Sequence, residues 1–393
     1  MGFLTGHPIL MVLAAAVLAP VLAQTPATRR IPVIVIEVLL GFAIGSQALG
    51  LVEPDPFLTT MKGLGIAAVL FMAGMEVDFA ELRGRPIALA SRAWAISIAL
   101  GVGAILLFGL ALGVNPPFMI TVALTSTALG SLFPVLRDSG MLKQPFGRNV
   151  LAAATVAEVG SLVVASIVLS TQHPTWRQLV FLAGFLAVVA LVALTGIRAR
   201  HPRLLDLLSR TFRSTNQLPV RLTLLVLGVL FVLADELGFE GVLGAFAAGM
   251  VVRLATQDEA GETFRAKLDA VCFGWMSPFF YIGTGMGLDL AALRSDMVGA
   301  AAIPAFLALF LLVRGLPVLL YRNEVPRALL PAFATALSVA PVGMVTVFSN
   351  GAVAAGGLPP NLRQSLILAA IGSLLVYPTL TSILLARGRP ASH

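Results

Sequence analysis

A chain of 393 residues, 58% of them hydrophobic and only 11% charged, lies far from the soluble range of about a quarter charged, which excludes an ordinary soluble domain and leaves a polytopic membrane protein. Its net charge of +7 comes from basic residues scattered between apolar runs without a dense patch, which argues against a nucleic-acid partner, and a single cysteine, Cys272, excludes an intrachain disulfide. No H-E-x-x-H, G-x-S-x-G or G-x-x-x-x-G-K-[ST] pattern occurs and the four histidines do not cluster, so no catalytic residue, resident metal or cofactor is signalled.

At about twenty apolar residues per crossing, thirteen spans follow in chain order: 7–24, 31–51, 57–77, 86–112, 117–136, 148–170, 177–197, 217–235, 239–253, 270–290, 298–320, 327–350 and 362–386. The first ends in VLAQTP like a leader peptide, but it lacks a basic segment ahead of its apolar run and carries Arg29 and Arg30 behind it, so it reads as a retained helix. Orientation follows from the cytoplasmic bias of Lys and Arg. With the N-terminus outside and the C-terminus cytoplasmic, only Arg177, Arg294 and Arg363 among the loop cations fall on the outer face, while Lys62, Arg92, Arg221 and Arg314 stay within or at the ends of spans. This is the pattern of a multi-pass cell-membrane protein.

The longest loop, 198–216, is basic and polar and divides the chain near its middle. The reading is a first repeat over 1–171, a linker span with this cytoplasmic loop over 172–216, and a second repeat over 217–393. Corresponding spans then differ by seven and cross in opposite senses, the inverted-topology arrangement of many secondary transporters. EVLLGFAIGSQALGLV (37–52) and EGVLGAFAAGMVVR (240–253) are matched Gly/Ala-rich second members of the two halves, suited to close helix packing.

The fifth and twelfth spans are the best matched. TVALTSTALGSLFP carries Thr125, Ser126 and Thr127, then Gly130 and Pro134, and TALSVAPVGMVTVF carries Ser338, Pro341 and Gly343. Hydroxyls and helix breakers at bilayer depth survive only where the freed backbone faces protein or water. The pair reads as two discontinuous helices crossing at the midplane. The plainer alternative is a pair of kinked helices whose hydroxyls bond their own backbone.

Charges at helix centres cost about 2.5–3.5 kcal/mol on insertion scales. Glu158 lies near the middle of the sixth span, with Thr155 and Ser161 beside it, and Arg314 lies in the inner half of the eleventh. Their opposite signs invite pairing. A packing ion pair is the structural alternative, but a buried pair is often no better than an apolar replacement. Burial favours a protonated carboxyl and a nearby cation favours the ionised one, so a carboxylate balanced between them exchanges a proton for a metal ion. Glu37 reads mainly as a helix-contact residue and only secondarily as part of a pathway.

LFMAGMEVDFAELRGR (70–85), ALTSTALGSLFPVLRDSGMLKQPFGRNVLAAATVAEVGS (123–161), GFEGVLGAFAAGMVVR (238–253) and FFYIGTGMGLDLAAL (279–293) resemble, in order along nearly the whole chain, the monovalent cation:proton antiporters that include Kef-type and Nap-type exchangers. The resemblance implies inverted repeats, a dimerisation domain (spans 1–3 and 8–10) and a mobile core (spans 4–6 and 11–13) in a homodimer. It places Glu158 at the ion-binding acidic position, Thr125 to Thr127 in the first broken helix, Arg314 at the core's basic position and Ser338 to Gly343 in the second broken helix. Electrogenic members carry two adjacent aspartates where this chain has Ala157 and Glu158, so the expectation is electroneutral exchange of one Na+ or K+ for one H+. No G-x-G-x-x-G fingerprint of a nucleotide-binding regulatory domain is present. A cation channel and an organic-anion symporter with Arg314 as the anion's partner are the competing readings.

Overall fold

The computed structural model describes residues 7–25, 31–53, 55–77, 85–112, 118–129, 132, 135–136, 139–142, 144–169, 175–198, 217–256, 259–288 and 297–388, and these are helical apart from short connections, with no strand among them. In chain order the helices are α1 (Pro8–Ala23), α2 (Val33–Ile44), α3 (Pro56–Met75), α4 (Arg85–Leu112), α5 (Phe118–Thr125), α6 (Pro145–Leu169), α7 (Thr175–Arg198), α8 (Leu218–Glu236), α9 (Gly241–Ala255), α10 (Glu259–Val271), α11 (Ser277–Met286), α12 (Met297–Gly315), α13 (Leu330–Leu337), α14 (Val342–Ala354) and α15 (Pro360–Gly388). Every span expected from hydropathy falls on one or two of them. Among the described residues six helices are long and apolar enough to cross a bilayer, and the bent pair α13–α14 makes a seventh. The helices α1, α2 and α9 are apolar but shorter.

Local chemistry explains where helices start and stop. Asp55 accepts the Phe57 amide at 3.3 Å while Pro56 takes the first position of α3, where its missing N–H costs nothing. A π-helical turn, Cys272–Met276, joins α10 to α11. Hydropathy gave no hint of α10, because its sequence EAGETFRAKLDAV buries only a narrow stripe that includes Phe264 and Leu268.

The chain divides into two compact units. The first comprises Met1–Val21, Glu37–Val77 and Leu169–Gly287, and the second Leu22–Ile36, Asp78–Val168 and Leu288–His393. The first unit is held together by glycines that let helix backbones touch. A Cβ at Gly74 would lie 2.1 Å from the Phe246 carbonyl oxygen, and one at Gly249 would lie 2.0 Å from that of Phe71, so α3 and α9 pack reciprocally. The α2–α11 contact repeats the device: a Cβ at Gly41 would lie 2.1 Å from the Ile282 oxygen, and one at Gly285 would lie 2.0 Å from that of Val38. Lipid is as apolar as leucine, so close backbone approach supplies the van der Waals contact that hydrophobic burial cannot.

The second unit is built on α4, α5, α6 and α12 to α15. Gly160 of α6 lies under the Trp94 ring of α4, where a Cβ would meet the indole at 2.7 Å. Gly101 of α4 admits the Thr121 methyl of α5 at 2.9 Å in the same sense. The helix α4 thus packs against both α5 and α6. Glu324, just beyond the 3-10 turn Leu316–Tyr321, pairs with Arg85 at 2.6 Å at the start of α4.

Candidate functional site

Both broken spans lie in the second unit, and their breaks are bonded to each other. The helix α5 stops at Thr125 and Ser126–Ala128 is non-helical, while α13 stops at Leu337 and Ser338–Pro341 separates it from α14. The segments Arg327–Leu337 and Val342–Ala354 meet at 54°. The Ala128 amide donates to the Val339 carbonyl at 2.8 Å, and Thr127 Oγ1 donates to the Leu337 carbonyl at 2.7 Å. Gly130 and Pro134, the breakers expected in the first span, lie outside the described residues.

Freed backbone groups at this crossing find side-chain partners, as burial demands. Thr125 Oγ1 donates to Val122 O at 3.1 Å, Ser126 Oγ to Ala123 O at 2.7 Å and Ser338 Oγ to Ala334 O at 2.7 Å. The Ala340 amide is taken by Ser373 Oγ of α15 at 2.9 Å. A second strut from α15, Thr381, meets Thr335 of α13 hydroxyl to hydroxyl at 2.8 Å. Pro341 forms the extended cap of α14, and Gly343 is buried in its first turn.

Arg314 ties the crossing to its surroundings. It is 2% exposed, and its fork donates to three elements: Nε to Thr127 Oγ1 at 2.9 Å, NH1 to Ser97 Oγ of α4 at 3.2 Å and NH2 to the Ala153 carbonyl of α6 at 3.3 Å. Thr127 therefore accepts from the guanidinium while donating to Leu337. The cation also lies where α5 and α13 both end, and helix C-termini carry partial negative charge. Thr127→Val, which keeps the shape and removes both bonds, should lower stability by about 1–3 kcal/mol, read as thermal unfolding in detergent. Thr127→Ser should restore it.

Glu158 is 3% exposed in α6, five residues beyond Ala153, or about 7.5 Å along the axis. Ala153, Ala157 and Gly160 follow at i, i+4 and i+7 and present a small-residue stripe to Arg314 and Trp94. Glu158 occupies the neighbouring sector with Ser161 one turn on. Thr155 and Ser161 are both buried, and Ser161 Oγ has no hydrogen-bond partner among the described residues. The structure thus gathers Thr125 to Thr127, Ser338, Pro341, Gly343, Arg314, Glu158, Thr155 and Ser161 into one unit, whereas Glu37 belongs to the other.

Sequence reasoning missed Ser97, Ser373 and Thr381. A lone serine or threonine in an apolar run is usually satisfied by its own helix, and all three also donate to carbonyls of their own helices. Only their position against a break distinguishes them.

The chain is similar in sequence to known antiporters. The chain is 26% identical over 326 residues to the provisionally named Na+/H+ antiporter YjbQ of Bacillus subtilis (strain 168), covering 79% of this chain and 52% of that protein. It is 26% identical over 307 residues to the cation/H+ antiporter 18 of Arabidopsis thaliana, covering 73% of this chain and 37% of that one. Against the Na+/H+-K+ antiporter GerN of Bacillus cereus it is 25% identical over 279 residues, 68% of each. It therefore spans about half of YjbQ and less of the plant protein. A family model described as sodium/hydrogen exchanger, transmembrane, matches residues 12–387, and the chain belongs to that family.

Proposed function

We propose that the protein exchanges a monovalent cation, Na+ or K+, for H+ across the cell membrane by alternating access. The observation that carries this reading is the hydrogen-bonded crossing of two interrupted helices in the unit that buries Glu158 and Arg314. Glu158 binds proton and cation in competition. Hydroxyls at the first break, with Thr155, Ser161 and freed carbonyls, offer the oxygen ligands a hard cation prefers. Arg314 stays charged and holds the negative helix ends in place, so a single carboxylate exchanges one charge for one charge.

The two compact units give this reading its moving parts. In it, the unit carrying α4 to α6 and α12 to α15 is the translocating core, and the other is the scaffold through which two copies pair. Inverted repeats are supported by the glycine crossings: Gly74 and Gly285 each precede Met, each rests on a backbone carbonyl, and Phe71 and Ile282, three residues before them, each receive a glycine of the facing helix. The N-terminus is taken as outside and the C-terminus as cytoplasmic.

The test is cation-induced proton movement in sealed proteoliposomes, with Na+ and K+ added separately and the membrane potential clamped. Wild type should discharge a preset pH gradient with one or both cations, and Glu158→Gln should fall to background. Equal exchange by Glu158→Gln would make Glu158 a packing residue. Conductance without proton counter-movement would point to a channel, and a voltage-driven current during exchange would end the one-for-one stoichiometry.

A further inference from the structure

Between α3 and α11, inside the first unit, lies a cavity of about 230 Å³. The two helices run antiparallel, with Gly65 against Phe280 and Lys62 against Gly283. A Cβ at Gly65 would lie 2.6 Å from the Met276 oxygen, so the helices touch there and close the inner end. The atoms nearest a Cβ at Gly283 are those of the Lys62 side chain, at 3.2–3.6 Å, and from this level the cavity reaches out to Asp55, at the start of α3, and Gly287, at the end of α11. Its walls are apolar, with Val12 of α1, Leu58, Phe279 and Met286 among them. The helix α3 is long enough to cross the bilayer, so its end lies at headgroup depth, whichever way the chain is threaded.

Two opposite charges line this recess. Lys62 Nζ donates to the Gly283 carbonyl at 3.2 Å, one turn inside the end of α11. Asp55 stands at the mouth, where its carboxylate caps α3 through the Phe57 amide at 3.3 Å, and no ion pair reaches it among the described residues. Its Cα is seven residues, or about 10.5 Å along the axis, from that of Lys62. Helix carbonyls point toward the C-terminal end, so the Gly283 oxygen draws the ammonium part of the way back toward the mouth. An apolar recess with a cation inside and an anion at its mouth is the complement of a zwitterion on an apolar body, oriented by a few placed polar groups. A primary ammonium donates N–H bonds to a carboxylate, which a trimethylammonium cannot, and a purely anionic headgroup would set its charge against Asp55.

We propose that this cavity binds the headgroup of one phosphatidylethanolamine molecule, with the phosphate on Lys62, the amine on Asp55, and the glycerol and first acyl carbons against the apolar walls. The site stands apart from Glu158 and the exchange reading, because its occupancy is measured without transport.

The experiment uses the purified full chain, delipidated in detergent, with bound lipid counted by native mass spectrometry during titration with dioleoyl phosphatidylethanolamine, phosphatidylcholine or phosphatidylglycerol. Wild type should take up phosphatidylethanolamine at a half-saturating concentration about tenfold below those of the other two. Asp55→Asn keeps the helix cap and should erase the preference for ethanolamine over choline. Lys62→Gln keeps a donor for the Gly283 carbonyl and should weaken phosphatidylethanolamine binding about tenfold. Thr59→Trp, at an exposed position on the cavity wall, should block uptake by filling the space. Thermal unfolding without added lipid checks that each variant is folded, and the wild-type headgroup comparison stands even where one is not. Equal uptake of the three lipids by wild type, tighter binding of phosphatidylglycerol, or a preference that survives both Asp55→Asn and Lys62→Gln overturns the site. Glycerophosphoethanolamine, the same headgroup without chains, should compete only at concentrations about a hundredfold higher or more, since it lacks the carbons that meet the walls. Competition at equal concentration would overturn the lipid assignment in favour of a soluble zwitterion.

Discussion

Arg314→Met should abolish cation-driven proton movement, a loss of at least about a hundredfold or ~2.7 kcal/mol of barrier, while the protein still purifies as a folded species. Methionine fills much of the buried volume but removes the three donors that join Thr127, Ser97 and Ala153. Losing those charge-assisted bonds destabilises the fold, yet losing a guanidinium from an apolar interior also removes its desolvation cost. The two offset, so the thermal transition should move by only a few degrees. Function has no such compensation. Without a fixed positive charge the ends of α5 and α13 face one another with like partial charges, and Thr127 is released from one of its two partners. Arg314→Lys should recover only part of the exchange, because an ammonium cannot span three directions as the planar fork does. Near wild-type exchange by Arg314→Met in proteoliposomes would reduce the residue to a packing role.

Gly249→Val should prevent recovery of folded protein, with a destabilisation of about 4 kcal/mol or more. A Cβ at this position would sit 2.0 Å from the Phe71 carbonyl oxygen and 2.9 Å from the Met75 amide, both backbone atoms that cannot swing aside. The cost arises from forcing α9 off α3 along their whole contact, not from one local clash. Gly228→Ala is the matched control. It lies on the neighbouring helix α8, nothing stands within 4 Å of the added methyl, and alanine is the better helix former. Monodispersity on size exclusion and the thermal midpoint in detergent separate the two. A Gly249→Val protein that unfolds within a few degrees of wild type would show that the glycine crossings are not what holds the first unit together.

Much of this architecture is legible in the amino-acid sequence because a bilayer leaves few choices. A run of about twenty apolar residues must be helical, which is why the spans are readable. Polar residues and helix breakers inside such a run must be exceptional, which is why Thr125 to Thr127 and Ser338 to Gly343 mark the crossing. Other features have no such signature. The helix α10 stayed hidden because an amphipathic helix needs only a narrow apolar stripe, and the π turn after it leaves no mark in hydropathy. Arg314 and Glu158 attract attention as charges, and their signs suggest a pairing, but sequence cannot show that the guanidinium reaches two hydroxyls and a helix carbonyl. Those are neutral acceptors, and Ser97 and Ala153 look like any serine or alanine in a span. Gly74 and Gly285 read as generic small residues until the facing carbonyls of Phe246 and Val38 appear.

The buried sulfur in the π turn makes the native chain a ready background for site-directed labelling. Its only thiol, Cys272, is 1% exposed, walled in where α10 gives way to α11. Thiol reagents that modify accessible cysteines have no competing target, so reporter cysteines can be placed at will without first stripping the chain of its own. A fluorophore or spin-label pair, one member on each compact unit, would then give the distance between them directly, with and without Na+ or K+.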